Sequence, residues 1–225
     1  MTVSALRAKP LPNYTKTEEL MNTISHSIGI AMGLFVLVIC ILESNNTIDI
    51  IGSTVYGLSM VFLYSISSIY HGTKPVNVLK KQILRIIDHC TIFVFIAGSY
   101  TPIVLNVIYR SNHMAGILML SIIWITVIVG ITLNAIDLDR YSKFSMSCYL
   151  ILGWCAIFII KPIIIMLGLN GTLLLIAGGI SYSIGAILYG IGKKHRYMHF
   201  VFHIFVLLGT LLQYFCILNY VINNI

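Results

Sequence analysis

The sequence predicts an all-α membrane protein, a bundle of seven transmembrane helices, and three observations indicate this class. Hydrophobic residues make up 58% of the 225 positions and charged residues only 9%, whereas soluble domains carry about 25% charged residues. The mean hydropathy is +0.95. Apolar stretches of about 20 residues, the length that crosses a hydrocarbon core, recur along the whole chain.

The predicted spans are helices rather than strands, because continuous apolar runs such as 117–131 lack the alternation of a membrane β-strand. We expect one domain, residues 24–222, preceded by a cytoplasmic tail of residues 1–23 and followed by a short outer tail, residues 223–225. The seven spans cover residues 24–42, 50–70, 87–108, 114–136, 145–167, 172–191 and 198–222.

The basic residues predict the orientation of the bundle. Three Lys or Arg residues precede the first span, four separate the second from the third, two separate the fourth from the fifth, and three separate the sixth from the seventh. Only Arg110 and Lys161 fall on the opposite side. Because cytoplasmic loops are enriched in Lys and Arg, the N-terminus is expected in the cytoplasm and the C-terminus outside. The net charge of +7 is thus spread over separate loops, and no nucleic-acid partner is expected.

Four ionisable side chains lie in or beside the spans, all at ends that the charge pattern assigns to the cytoplasm. His71 closes the second span, Asp88 opens the third, and His199 and His203 open the seventh. Such groups are costly in a membrane and usually functional. His199 and His203 share one helical face, as in other HxxxH metal sites. Three neutral imidazoles and a water form a tetrahedral Zn²⁺ site with an open position, so His71, His199 and His203 are the predicted ligands.

Two further residues are assigned to chemistry at this site. Asp88 is the only carboxylate within a predicted span, and Ser67 precedes His71 by one helical turn. As catalytic residues, Asp88 is the expected general base and Ser67 the group that orients the water or stabilises an oxyanion. The alternative for Asp88 is a helix-surface ion pair with Arg85. The alternative for the histidines is an interfacial position with their polar tips at the headgroups.

The remaining histidines are sorted by depth and direction. His26 lies at the same predicted level as the ligands, four residues after Asn22, so the pair are candidates to support the ligands, with His26 also an alternative ligand. His89 follows Asp88 directly and points about 100° away from it on a helix, so it is left out of the site. His113 and His195 are expected to be solvated.

Four motifs, taken in order, resemble the hemolysin III branch of the progestin and adiponectin receptor family. They are EELMNTISH near the start, with Glu19, Asn22 and His26, then SSIYH, LRIIDHCTIFVFIAGSYTP and MHFVFH. The resemblance runs from about residue 18 to the end of the seventh span. It implies seven helices with a cytoplasmic N-terminus, in a bacterial plasma membrane. It also implies a zinc ion held by the histidines that match His71, His199 and His203. The aspartate that matches Asp88 would join the zinc through a water, and the serine that matches Ser67 belongs to the same motif.

Three functions are compatible with such a site. The first is a zinc-dependent hydrolase within the membrane, whose substrate is a lipid amide of the ceramide type by analogy with the similar alkaline ceramidases. The second is a cytolysin that permeabilises membranes, although a pore needs a polar stripe through the full depth and the outer halves of the spans carry almost no ionisable residues. The third is a lipid-sensing or receptor-like protein in which zinc is structural. Membrane lipids are the expected partners in each case.

Overall fold

The computed structural model describes residues 3–192 and 195–223, and these residues form helices and turns with no β-strand among them. Lys193 and Lys194, which contribute to the predicted orientation, lie outside the described residues, as do the first two residues of the predicted cytoplasmic tail and the last two of the predicted outer tail. The α-helices are α1 (Val3–Ala8), α2 (Lys16–Leu42), α3 (Thr47–Gly72), α4 (Val78–Ile103), α5 (His113–Gly153), α6 (Ile160–Gly192) and α7 (Met198–Cys216).

Within the described chain, five helical stretches are long and apolar enough to cross a membrane. Large apolar side chains remain exposed around them, for example Ile125 at 59% and Ile165 at 79%. Exposed apolar area of this extent is typical of a surface that faces lipid rather than water. The stretches are Lys16–Leu42, Thr47–Gly72, Val78–Tyr109, His113–Gly192 and Met198–Ile222.

Helix α2 begins at Lys16, well before the predicted span at residue 24. Thr15 and Glu18 form a capping box, in which the Glu18 amide donates to Thr15 Oγ1 and the Thr15 amide donates to Glu18 Oε2. This cap stabilises a polar first turn that hydropathy alone does not detect. As a result, Glu19 and Asn22 are helical and share the face of His26.

The 80-residue stretch His113–Gly192 is not one straight helix. Asp137 has extended backbone angles, and its carboxylate accepts from the amides of Asp139 and Arg140, as an N-cap residue does. A second break lies at Gly168, whose φ of 63° suits a residue without a side chain. The two predicted loops, residues 137–144 and 168–171, are therefore reduced to breaks at single residues. A short 3₁₀ turn, Cys155–Ile159, joins α5 to α6.

Pro102 changes the geometry of α4. Pro102 has no amide proton to donate to the preceding turn. After Ile103, where α4 ends, the six residues Val104–Tyr109 form wider π-helical turns. The Pro102 backbone also packs closely on α3, where a side chain at Gly52 would lie 2.9 Å from Pro102 Cα. A glycine at this crossing permits the close approach of α3 and α4.

The packing of the helices sets the position of the functional residues. Helix α2 packs on α3, α3 on α4, α4 on α5 and α6 on α7, while α7 also contacts α2. Tyr197, which precedes α7, adopts a left-handed backbone with φ of 64°, and its amide donates to Glu18 Oε1 at 2.9 Å. The first turn of α2 therefore holds the start of α7 close to α3.

Candidate metal centre

Three histidines from two helices meet at one point inside the bundle. His71, in the last turn of α3, places its Nε2 3.2 Å from His199 Nε2, and His203 Nε2 lies 3.1 Å from the same atom. One nitrogen from each ring lies within 4.8 Å of the other two. Nitrogen ligands of tetrahedral zinc, at about 2.0–2.1 Å from the metal, are about 3.3–3.4 Å apart. The three rings thus lie within metal-binding distance of one another.

Helix α2 supplies the groups that orient two of these rings. The Nδ1 of His71 donates to Glu19 Oε2 at 2.7 Å, and the Nδ1 of His203 donates to Ser25 Oγ at 3.1 Å while Ser25 donates to the Asn22 carbonyl. A proton held on Nδ1 leaves the Nε2 lone pair available to a metal. The convergence of the three Nε2 atoms is therefore consistent with the hydrogen bonds on the far side of the rings.

The Glu19 carboxylate is itself neutralised inside the protein. Its Oε1 accepts from Lys81 Nζ at 2.5 Å, and Lys81, which is 1% exposed, also donates to the Thr73 carbonyl. A buried carboxylate needs a partner charge of this kind. The chain Lys81, Glu19, His71 thus connects α4, α2 and α3 directly behind one candidate ligand.

Residues 9–15, which we call the N-terminal strap, lie across this end of the bundle. Lys9 forms ion pairs with Asp137 and Asp139, and Gln82 donates to the Lys9 carbonyl. Partial burial lowers the pKa of Lys9, but the hydrogen bonds to the two aspartates outweigh it, and the pKa is raised. Tyr14 places its ring 5.9 Å from that of His71 and 5.1 Å from that of His199, and burial raises its pKa. The strap therefore covers the histidines with the neutral ring of Tyr14.

A cavity of about 150 Å³ opens beside the histidines. It is lined mainly by α4, α5, α6 and α7, and α2 and α3 also contribute to its wall. Its walls are mostly apolar, and a second cavity of about 240 Å³ shares Ser99, Tyr100, Trp154 and Gln213 with it. Together they reach the lower part of the size range of small-ligand sites, about 300–1,000 Å³. The histidines thus stand at one end of an elongated apolar cleft.

The predicted catalytic residues line this cavity. Ser67 and Asp88 are on its wall together with His199 and His203. The alternative partner for Asp88 does not apply, because Arg85 donates to Asp139 at 2.7 Å and no ion pair within the described residues joins Arg85 to Asp88. Both residues are therefore available to a molecule in the cavity.

The two residues proposed to support the ligands occupy different positions. Asn22 is fully buried and places Nδ2 at 3.5 Å from His71 Nδ1, a long contact beside the shorter one from Glu19. His26 is outside the three-histidine group and stacks on His203, with ring centroids 3.6 Å apart. Neither one, therefore, completes the candidate ligand set.

His89 does not join the three histidines, but it lines the same cavity. Its Nδ1 donates to the Arg85 carbonyl, so its Nε2 accepts from the Tyr189 hydroxyl at 3.1 Å. The cavity is wide enough for Asp88 and His89, neighbouring positions of α4 that point about 100° apart, to border it together.

Glu19, Ser25, Lys81 and Tyr14 were not predicted as functional residues. For Glu19 a signal existed, since Glu19, Asn22 and His26 recur at helical spacing on one face of α2. Lys81 and Tyr14 carry no comparable signal, because a lysine in a basic loop and a tyrosine in a tail are ordinary residues there. Their position depends on how the strap and the start of α4 fold over the histidines.

This fold and its histidine group define a multi-pass integral membrane protein that brings three imidazoles within metal-binding distance of one another. The family profile described as "Haemolysin-III related" matches residues 14–214. The chain therefore belongs to the haemolysin-III-related proteins, the hemolysin III branch of the progestin and adiponectin receptor family.

Individual relatives agree with this assignment. The chain is 38% identical to "Hemolysin-3" of Bacillus cereus, over 91% of this chain and 92% of the relative. It is 37% identical to the "Hemolysin-3 homolog" of Bacillus subtilis, over 93% and 97%. A more distant relative is the human "Monocyte to macrophage differentiation factor", 24% identical over 80% of this chain and 75% of that protein.

Proposed function

We propose that the chain crosses the membrane seven times, with its N-terminus in the cytoplasm and the three histidines near the inner leaflet of a bacterial plasma membrane. The stretch His113–Gly192 supports this, because 80 residues of straight helix would be about 120 Å long and the hydrocarbon core is about 30 Å thick. The breaks at Asp137 and Gly168 divide it into three helical segments, which we interpret as three crossings. Alkaline phosphatase fused after residue 225 is expected to be active and a fusion after residue 76 inactive; the reverse pattern contradicts the orientation.

We propose Zn²⁺ as the metal and His71, His199 and His203 as its ligands. Imidazole donors suit zinc among the common divalent ions, and three protein ligands leave a position for water or substrate. The Nε2 separations of 3.1 and 3.2 Å and the hydrogen bonds from Nδ1 to Glu19 and Ser25 support this choice.

We propose that the protein is a zinc-dependent hydrolase of lipid amides, with ceramide-like molecules as substrates. The observation that carries the proposal is the position of the histidine group at one end of a mostly apolar cleft within the bundle. An apolar cleft accepts acyl chains and excludes water, whereas the histidine end offers the polar groups that a hydrolytic reaction needs.

The roles of the residues follow from their positions on the cavity wall. When bound, zinc supplies Lewis-acid chemistry, lowering the pKa of a coordinated water to about 7 and polarising a carbonyl. Asp88 takes the proton of the attacking water as general base and returns it to the leaving amine. Ser67 donates a hydrogen bond to the oxyanion that forms at the amide carbonyl. Glu19 and Ser25 keep the imidazoles in the orientation that leaves Nε2 available.

The test combines metal analysis with a lipid panel. Purified wild type is expected to hold zinc and to cleave at least one lipid amide in a set that includes ceramides and matched esters. Asp88→Asn is expected to retain zinc and to lose about 10²- to 10⁴-fold in kcat. Ser67→Ala is expected to lower kcat because it removes the donor to the oxyanion. Ser99→Ala, the same change at another point of the cavity wall, serves as the control and keeps near-normal turnover. Zinc-loaded wild type without turnover on any amide or ester would reject the proposal.

A cytolytic function is the second candidate, because the names of the two Bacillus relatives refer to hemolysis. The two candidates differ in their dependence on the histidines. Dye leakage from liposomes that persists in a His199→Ala/His203→Ala variant would favour cytolysis, whereas turnover that depends on both histidines, without leakage, favours the hydrolase. If zinc loss lowers only the melting temperature and changes neither activity, the metal has a structural role.

A further inference from the structure

His26 is a buried imidazole with unused hydrogen-bonding capacity. It is 4% exposed, and neither Nδ1 nor Nε2 has a hydrogen-bond partner within the described residues. Buried polar atoms are almost always paired, because an unpaired one loses its hydration without compensation. A ring that retains two unpaired nitrogens in such a place is therefore a candidate to contact a bound molecule.

The ring is held in place by aromatic contacts. It stacks on His203 with an interplanar angle of 19°, and its centroid lies 5.1 Å from that of Tyr64, with the two rings nearly perpendicular. By contrast, His71 and His203 each hold Nδ1 in a hydrogen bond and direct Nε2 to the candidate metal. His26 is thus oriented firmly and is outside the ligand group.

The cavity beside the candidate metal is where such a molecule would lie. His26 is on its wall together with His199, His203 and Asp88, and most of the remaining wall is apolar. A neutral imidazole offers one donor and one acceptor. Its acceptor nitrogen can accept from an amide N–H, and either nitrogen can pair with a hydroxyl. In a lipid amide, the carbonyl is the group to be polarised, so the N–H and any neighbouring hydroxyl are left to other residues.

We propose that His26 binds the amide N–H or the adjacent hydroxyl of a lipid amide in this cavity and thereby selects lipid amides over chains without polar groups. The choice of lipid class rests on the proposed function, whereas the presence of a polar contact at His26 rests on its two unpaired nitrogens. His26 is accordingly a ligand-contacting residue and not a metal ligand.

The experiment compares two fluorescent probes on the full-length protein in nanodiscs. One probe is a ceramide with a six-carbon, nitrobenzoxadiazole-labelled acyl chain; the other carries the same fluorophore on an alkyl chain without amide or hydroxyl. His26→Phe keeps an aromatic ring for stacking and removes both nitrogens, and it is expected to weaken ceramide binding about tenfold, the typical effect of one hydrogen bond. Binding of the alkyl probe and zinc content stay at wild-type levels. His26→Gln, which retains a donor and an acceptor, recovers part of the affinity.

His113→Phe is the matched control, because it makes the same change at an exposed histidine far along the sequence, and it is expected to bind both probes as wild type does. Equal ceramide affinity in His26→Phe and wild type overturns the proposal, and so does an equal loss for both probes. Loss of zinc in both His26→Phe and His26→Gln overturns it in favour of a ligand role. If His26→Phe does not fold, His26→Leu is used for the same comparison.

Turnover separates this inference from the proposed function. Wild type that binds the ceramide probe in a His26-dependent manner but cleaves no lipid supports the inference and contradicts the hydrolase. Wild type that cleaves ceramides with an unchanged KM in His26→Phe does the reverse. Wild type that does not bind the ceramide probe overturns the inference.

Discussion

Each end of the helix bundle contains an ion pair, but the two ends differ in whether the neighbouring polar atoms have hydrogen-bond partners. We call them the histidine end, which carries His71, and the arginine end, which carries Arg110. At the arginine end, Asp49 Oδ1 accepts from Arg110 at 3.0 Å and its Oδ2 accepts from Asn46 at 2.6 Å. The second side of the guanidinium is also occupied, since Arg110 Nε donates to Asn106 Oδ1 at 2.9 Å. Both oxygens of the Asp49 carboxylate therefore have a partner.

At the histidine end the pair Glu19–Lys81 is equally well satisfied, but the groups in front of it are not. The three Nε2 atoms face one another rather than separate partners, and both nitrogens of His26 are unpaired. A cavity adjoins this end, with His199 and His203 on its wall. The comparison teaches that a buried charge pair by itself indicates only structure, whereas unpaired polar atoms beside a cavity indicate a ligand.

The largest expected effect is at the arginine end. Asp49→Ala leaves the guanidinium of Arg110 without its carboxylate and is expected to lower the free energy of unfolding by about 3 kcal/mol. This is near the lower end for a broken buried pair, because the Arg110 side chain is 28% exposed. Thermal unfolding in detergent measures this loss of stability. Asp139→Ala is the control, because it breaks a more exposed ion pair and is expected to lower the free energy of unfolding by less than about 1 kcal/mol. The folded Asp49→Ala protein is expected to bind zinc normally, and a loss of zinc there would contradict the division between the two ends.

The second effect is at the histidine group. His203→Ala is expected to reduce zinc affinity by more than about a hundredfold, beyond the 10- to 100-fold loss typical of groups behind a ligand. Metal analysis of the purified protein provides the measurement. His89→Ala is the matched control, since His89 lines the cavity without belonging to the group. Equal zinc content in His203→Ala and wild type would show that the three imidazoles do not form the metal site.

A smaller effect is expected behind the ligand. Glu19→Gln keeps an acceptor for His71 Nδ1 but removes the charge, and zinc affinity should fall about tenfold. Competition with a fluorescent zinc chelator gives the affinity. Glu18→Gln is the control because the neighbouring glutamate caps α2, a role that glutamine also fills. If both variants bind zinc as wild type does, Glu19 serves the packing of Lys81 only.

The smallest effect is expected at the N-terminal strap. Lys9→Met removes the ion pairs to Asp137 and Asp139, which are partly exposed and contribute at most about 1 kcal/mol. The strap should then leave the histidines more often, so that a chelator extracts zinc faster by less than about fivefold, with unchanged equilibrium affinity. High salt should produce the same acceleration in wild type and little further change in Lys9→Met. An extraction rate that is unchanged in both conditions would exclude a covering role for the strap.

Much of the helical structure and part of the candidate site could be predicted from the sequence. Apolar stretches indicated membrane helices, and the HxxxH spacing placed His199 and His203 on one face. The hydropathy pattern predicts that the first span begins at residue 24, whereas α2 begins at Lys16. The difference arises because the capping box at Thr15 acts through hydrogen bonds that hydropathy does not report. The sequence predicts a loop over residues 137–144, whereas the structure has a break at Asp137 alone. One residue that caps the next helical segment is enough to interrupt a helix.

The sequence by itself determined the membrane class and the relation between residues within one helix, because composition sets the preferred solvent and 3.6 residues per turn set which side chains share a face. Only the tertiary structure decided that His71 meets His199 across 128 positions, that Glu19 and Ser25 support the ligands, and that His26 faces a cavity. These contacts depend on the rotation and crossing of packed helices. Close-packing of side chains between helices sets that geometry, and the periodicity of any single helix does not report it.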